Sequence, residues 1–135
     1  MSDWLGLSGR PALVVGAGGL GGATAVSLAG QGARVVVVDR DEENLQLVAR
    51  TAKEAGSEVA TLVADVSSAE RCRAVVDEAS AIVGTPEVFL HAVGRNDRRP
   101  VLELGDDDWE SILTLNLGLR FDYEHKWMIL RRSFV

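Results

Sequence analysis

The sequence predicts an α/β fold: a doubly wound parallel sheet of about four strands in the order 3-2-1-4, with helices on both faces. Three observations predict it. A glycine-rich turn, Gly16-Ala17-Gly18-Gly19-Leu20-Gly21-Gly22, joins an apolar run to a run of small, helix-compatible residues. Four consecutive valines, Val35–Val38, do not alternate with polar residues, so both faces of that strand need cover, as in a parallel sheet. Strand-like and helix-like stretches then alternate along the chain, which implies right-handed crossovers.

Taken in order, residues 1–10 are a lead-in, and Pro11 suits a strand start because its missing N–H is tolerated there. Ala12–Val15 is a short buried strand, and after the glycine turn a helix is expected from Ala23 to Gln31, stopped by Gly30 and Gly32. Arg34–Asp39 is the clearest strand. Asp41 caps a helix that runs to about Ala55, with Leu45, Val48, Ala49 and Ala52 as its apolar stripe. Glu58–Ala64 is a third strand. Ser67 and Glu70 have capping-box spacing at the head of the next helix, whose buried face is expected to hold Cys72, Val75, Val76, Ala79, Ile82 and Val83. Gly84-Thr85-Pro86 ends it, and Val88–Val93 is a fourth strand containing His91. After a charged loop at 96–100, Asp106-Asp107-Asp108 opens a last helix with acids where the dipole favours them; Trp109, Ile112, Leu113, Asn116 and Leu117 share one face.

Length allows one domain with a real core at 135 residues. A net charge of -6 argues against a nucleic-acid or anionic-membrane partner, both of which want a basic surface. No run is long enough for a membrane span, and the start lacks the basic region of a signal peptide. A single cysteine cannot form an internal disulfide, so a reducing cytoplasm is the expected location.

Gly16, Gly18 and Gly21 fit G-x-G-x-x-G between a strand and a helix, where backbone can approach a pyrophosphate and helix N–H groups can meet its charge. Asp39 lies 23 residues after Gly16 at the tip of the second strand, close to the spacing of about 20 expected for a ribose-binding acid. A carboxylate there accepts from a 2′-hydroxyl and repels a 2′-phosphate, so NAD is expected in preference to NADP. Arg40 is the complication, since an arginine there can accommodate a phosphate; it also fits a solvated or adenine-stacking side chain. Asp65 suits an adenine contact or a plain turn. Cys72 sits in an apolar stripe as a core residue. His91 is expected to be packed and hydrogen-bonded rather than catalytic. Asn116, on an apolar helix face, is a hydrogen-bonding node or a site residue. No metal-ligand cluster is expected.

From about Arg10 to Leu117 the chain resembles a short-chain dehydrogenase/reductase of the classical subtype, over its N-terminal cofactor-binding half. Gly16–Gly22, Val35–Arg40, Asp65-Val66, His91-Ala92-Val93-Gly94, and Asp106–Trp109 through Leu115-Asn116-Leu117 carry the likeness. The resemblance implies a Rossmann-type fold with cofactor contacts at Gly16, Gly18, Gly19, Leu20, Gly21, Asp39, Arg40, Asp65 and Val66. It implies a nicotinamide pocket supported by Ala92, Val93 and Gly94, and a catalytic role for Asn116 in holding a proton-relay water. It further implies an oxidoreductase moving hydride between nicotinamide and a carbonyl or secondary alcohol of unknown identity. A non-catalytic dinucleotide-binding module and an inert truncated product stand as alternatives.

The chain departs from the family pattern in four places. Val15 stands for the usual Thr, and the glycine turn is one residue short; the same residues also fit the Gly16-x-x-Gly19-x-x-Gly22 spacing of the extended subtype. The fourth stretch lacks both of its usual asparagines. The family's serine and its Tyr-x-x-x-Lys pair are missing: the single tyrosine is Tyr123, position 127 is Trp127, and Tyr123-Glu124-His125-Lys126 is taken as coincidence. Residues 120–135 hold no Gly or Ala, unlike the rest of the chain. Residues 1–119 are accordingly expected to be a partial dinucleotide-binding domain, and 120–135 an atypical tail from a frameshifted or altered end. The fourth strand would be left as an apolar edge, which favours self-association.

Overall fold

The computed structural model describes residues 3–117, 119–122 and 127–130. Four parallel strands, β1 (Pro11–Val15), β2 (Arg34–Asp39), β3 (Val59–Val63) and β4 (Val88–His91), form one sheet in the order β3-β2-β1-β4. Val14 of β1 lies opposite Val37 of β2 and Leu90 of β4, so β1 is paired on both sides. Helices α1 (Gly19–Gly30) and α2 (Glu42–Glu54) cover one face: Ala25, Ala29, Leu45 and Val48 bury Ala12, Val14, Val35 and Val37. Helix α3 (Ala69–Val83) covers the other, packing Cys72, Val75, Val76, Ala79 and Val83 on Leu13, Val15, Val36 and Val38. The valine run of β2 therefore feeds two cores, each valine burying an aliphatic group worth about 1.5–3 kcal/mol.

Local chemistry sets the element ends. Asp41 caps α2, its Oδ1 accepting the Glu43 N–H at 2.9 Å. Helix α1 closes in a Schellman motif: Gly32 has φ +85° and donates to Ala29, while Ala33 donates to Leu28. Gly56, at φ +79°, closes α2 in the same way through Lys53 and Ala52. Helix α4 (Asp106–Leu117) follows a single 3-10 turn at Val101–Glu103.

Four sequence expectations are corrected. Helix α1 begins at Gly19, not Ala23, because Gly21 and Gly22 already pack as helix on the end of β1. The cap of α3 is Ser68, whose Oγ accepts the Arg71 N–H at 3.3 Å, since Ser67 is held by Asp65 through two hydrogen bonds. Strand β4 stops at His91, although the Ala92 N–H still bonds to the Val15 carbonyl. Ile82 lies on the flank of the α3 stripe and is 48% exposed.

Beyond α4, β5 (Leu119–Asp122) and β6 (Trp127–Leu130) pair antiparallel, apart from the main sheet, and β6 lies beside α3. Tyr123–Lys126 falls outside the described residues. Among the described residues β4 pairs with β1 alone, and no helix is long and apolar enough to cross a membrane.

Candidate binding cleft

The strand order reverses between β1 and β4, and a cleft of about 390 Å³ opens there at the carboxyl ends of the strands. Ligands of open α/β sheets lodge at such switch points. The glycine turn forms one wall. Gly16 leaves β1 at φ +105°, and a Cβ there would come within 2.8 Å of the Ala92 carbonyl carbon. A Cβ on Gly21 would overlap the Gly16 carbonyl oxygen, and one on Gly22 would press on the Ala17 carbonyl oxygen at 2.5 Å. These three glycines let α1 sit directly on the strand end. Gly18 differs: its φ of -73° suits any residue, and a Cβ there would meet open space. It is the N-cap of α1, no side chain caps that end, and no acid lies in the first turn. The Gly21 N–H turns back to the Gly18 carbonyl at 3.0 Å, which leaves the Gly19 and Leu20 N–H groups and the helix dipole open to an anion.

Asp39 ends β2 beside this turn. Its Oδ2 accepts the Ala17 N–H at 2.7 Å and its Oδ1 accepts the Asp41 N–H at 2.9 Å. The same carboxylate therefore fixes the turn and faces the cleft, with lone pairs left for hydroxyl donors. Asp65 and Val66, past β3, line the same end together with Arg40, Asp41 and Asn44.

The opposite wall is the end of β4: Ala92, Val93, Gly94 and Arg95. Asn116 clamps it from α4. Its Oδ1 accepts the Arg95 N–H at 3.1 Å, and its Nδ2 donates to the Arg95 carbonyl at 2.8 Å and the Ile112 carbonyl at 2.7 Å. Both amide hydrogens and the oxygen are spent on backbone. A Cβ on Gly94 would come within 2.9 Å of that oxygen, so the clamp requires glycine there. Behind it, neither ring nitrogen of His91 has a hydrogen-bond partner among the described residues, contrary to the expectation of a bonded histidine. Burial lowers its pKa below 6.5, opposed in part by the nearby Leu115 and Asn116 backbone. Burial, with Asp65 adding, pushes the Cys72 thiol up to about 11, in keeping with a core residue.

Of the residues singled out from sequence, the cleft brings together Gly16, Gly18, Asp39, Arg40, Asp65, Val66, Ala92, Val93 and Gly94. Gly19, Leu20 and Gly21 are not part of its lining: they form the first turn of α1, with Leu20 85% exposed and Gly21 buried. Asn116 acts on the lining from outside. Sequence reasoning missed Asn44, Arg95 and Leu115 as lining. Arg95 directly follows the Gly94 stretch, which was the available signal.

The family model for short chain dehydrogenase matches residues 10–121. The chain belongs to the short-chain dehydrogenase family. Among short-chain dehydrogenases it is similar to the short-chain reductase protein NovJ of Streptomyces niveus, 37% identical over 108 residues, covering 79% of this chain and 41% of that protein. It is 33% identical over 117 residues to D-threitol dehydrogenase of Mycolicibacterium smegmatis, covering 85% of this chain and 45% of that one. It thus spans less than half the length of either relative. A metagenomic short-chain oxidoreductase solved in complex with NADP superposes with a TM-score of 0.75 at 32% identity, over 86% of this chain and 52% of the other.

Proposed function

We propose that this chain binds a nicotinamide dinucleotide in the β1/β4 cleft and forms the cofactor-binding part of an oxidoreductase. Gly18 carries the reading: nothing inside the protein asks for glycine there, whereas a phosphate closing on the bare N-terminus of α1 does. Gly18, Gly19 and Leu20 would hold the pyrophosphate with backbone N–H groups, Gly16 and Gly21 setting their position, since the Gly16 N–H is spent on the Val38 carbonyl. Asp39 would hold the adenosine ribose, Asp65, Val66 and Arg40 the adenine side, and Ala92, Val93 and Gly94 the nicotinamide side, kept in place by the Asn116 clamp. When bound, the cofactor supplies hydride exchange with a carbonyl or secondary alcohol. The proteins it resembles include a reductase and a dehydrogenase, which supports that reaction class.

NAD is the proposed form, because a carboxylate at Asp39 repels a 2′-phosphate. A relative crystallised with NADP is the reason to test both forms. The 135 residues contain no Tyr-x-x-x-Lys, the pair in which a nearby lysine lowers the pKa of a phenol for proton transfer. The chain alone is accordingly proposed to bind without turnover, in a reducing, cytoplasmic setting, and to self-associate.

Calorimetric titration with NAD and NADP tests the reading. Saturable binding with NAD at least about tenfold tighter is expected; the absence of any binding overturns it. A panel of alcohols with NAD tests the catalytic half of the proposal: NADH formation by this chain would overturn binding without turnover.

A further inference from the structure

Charge is unevenly placed in the cleft. Asp39, Asp41 and Asp65, with Arg40 the one cation among them, line it beyond β2 and β3, whereas Arg95 lines it beyond β4 with no carboxylate in the lining there. Arg95 is also held in place. Its backbone N–H and carbonyl are both taken by Asn116, and its Nη2 donates to Ser111 Oγ on α4 at 2.9 Å. That partner is neutral and leaves the charge uncompensated. The neighbouring carboxylates are engaged by another cation: Asp97 accepts from Arg99 Nε and Nη2, and Asp108 pairs with Arg99 at 2.8 Å. Arg99 holds the Asp97 carboxyl down to about 2, and Arg95 adds only a longer-range contribution. Among the described residues, no carboxylate forms an ion pair with Arg95.

A pre-positioned guanidinium with free donors and no counter-ion is suited to a planar or tetrahedral oxyanion. We propose that Arg95 is a specificity-determining residue that selects an oxyanion group, of carboxylate or phosphate type, at the β4 end of the cleft. The inference rests on the dinucleotide reading, in which the ribose lies at Asp39 and the nicotinamide end lies toward β4. The oxyanion then comes from one of two sources: the pyrophosphate of the dinucleotide, or an acidic group on the molecule that exchanges hydride. The hydrogen bond that ties the side chain to Ser111 on α4, an element outside the glycine turn, favours the second.

The test titrates the wild-type chain, R95Q and R95K with ADP-ribose. Each chain saturated with NAD is then titrated with 3-hydroxybutyrate and with its uncharged amide. The expected result is unchanged ADP-ribose binding across the three chains. In the wild type the carboxylate binds about tenfold tighter than the amide, a preference lost in R95Q and reduced in R95K. Weakening of ADP-ribose by about tenfold or more in R95Q instead assigns the oxyanion to the pyrophosphate and also supports the proposal. Unchanged ADP-ribose binding with no carboxylate preference in the wild type overturns it. A wild-type chain that binds neither ADP-ribose nor NAD overturns it together with the dinucleotide reading. Thermal melts check folding, and R95K, which keeps the charge and loses the fork, serves where R95Q does not fold.

Discussion

A methyl group added at position 18 meets open space, whereas one at position 21 overlaps the Gly16 carbonyl oxygen. G18A is therefore expected to change stability by less than about 0.5 kcal/mol yet weaken NAD by about tenfold. G21A is expected to cost about 1–3 kcal/mol from overpacking alone. Melting and titration of both variants check this, and equal loss of stability in the two would contradict it. His91 gives a pH dependence. Because burial lowers its pKa from 6.5, the unfolded chain binds a proton that the folded chain refuses, so its contribution to stability is lost as pH falls through and below 6.5. H91Q should melt with a shallower dependence between pH 7 and pH 5 than the wild type. The loop glycines and Asp39 were legible because their residue types are rare answers to a steric or charge demand. That neither His91 ring nitrogen meets hydrogen-bond geometry among the described residues was not legible, since it depends on where α4 places the Leu115 and Asn116 backbone.

At the scale of elements, the cap of α3 separates two neighbouring serines. S68A removes the acceptor for the Arg71 N–H and is expected to cost about 1 kcal/mol in a melt. S67A leaves the helix cap intact and loosens Asp65, so its effect should appear in nucleotide affinity rather than in stability. Every strand and every long helix of the sheet was legible from periodicity, and β2 most sharply, because only two-sided burial explains four valines in a row. The ends were less so: Ser67 and Ser68 offer the same hydroxyl, and the choice between them was made by Asp65, an acceptor outside the helix. The start of α1 was misread for a related reason. Glycines that look like loop by propensity are helix when two of them must press against strand backbone.

At the scale of the molecule, β4 is paired on one side only among the described residues, and Val101, Leu102 and Trp109 stand exposed on the segment that follows it, Leu102 at 96%. An unpaired edge beside apolar groups favours association. The expected outcome is a sedimentation coefficient and a melting temperature that rise with protein concentration; a cooperative melt independent of concentration contradicts it. The family's fold was legible because this N-terminal part carries its own motifs, while substrate identity was not, because the one candidate, Arg95, shows its lack of a counter-ion only in the folded structure.

The two hydrogen bonds made by Asp39 set a limit on redesign. Replacing this carboxylate to admit a 2′-phosphate also removes the acceptor that holds Ala17 and thereby the shape of the glycine turn. In the proposed reading, preference between the two nicotinamide cofactors and rigidity of the glycine turn are tied to a single side chain. An exchange of cofactor in this scaffold thus calls for two coordinated substitutions, one to welcome the new charge and one to restore an acceptor for the Ala17 N–H.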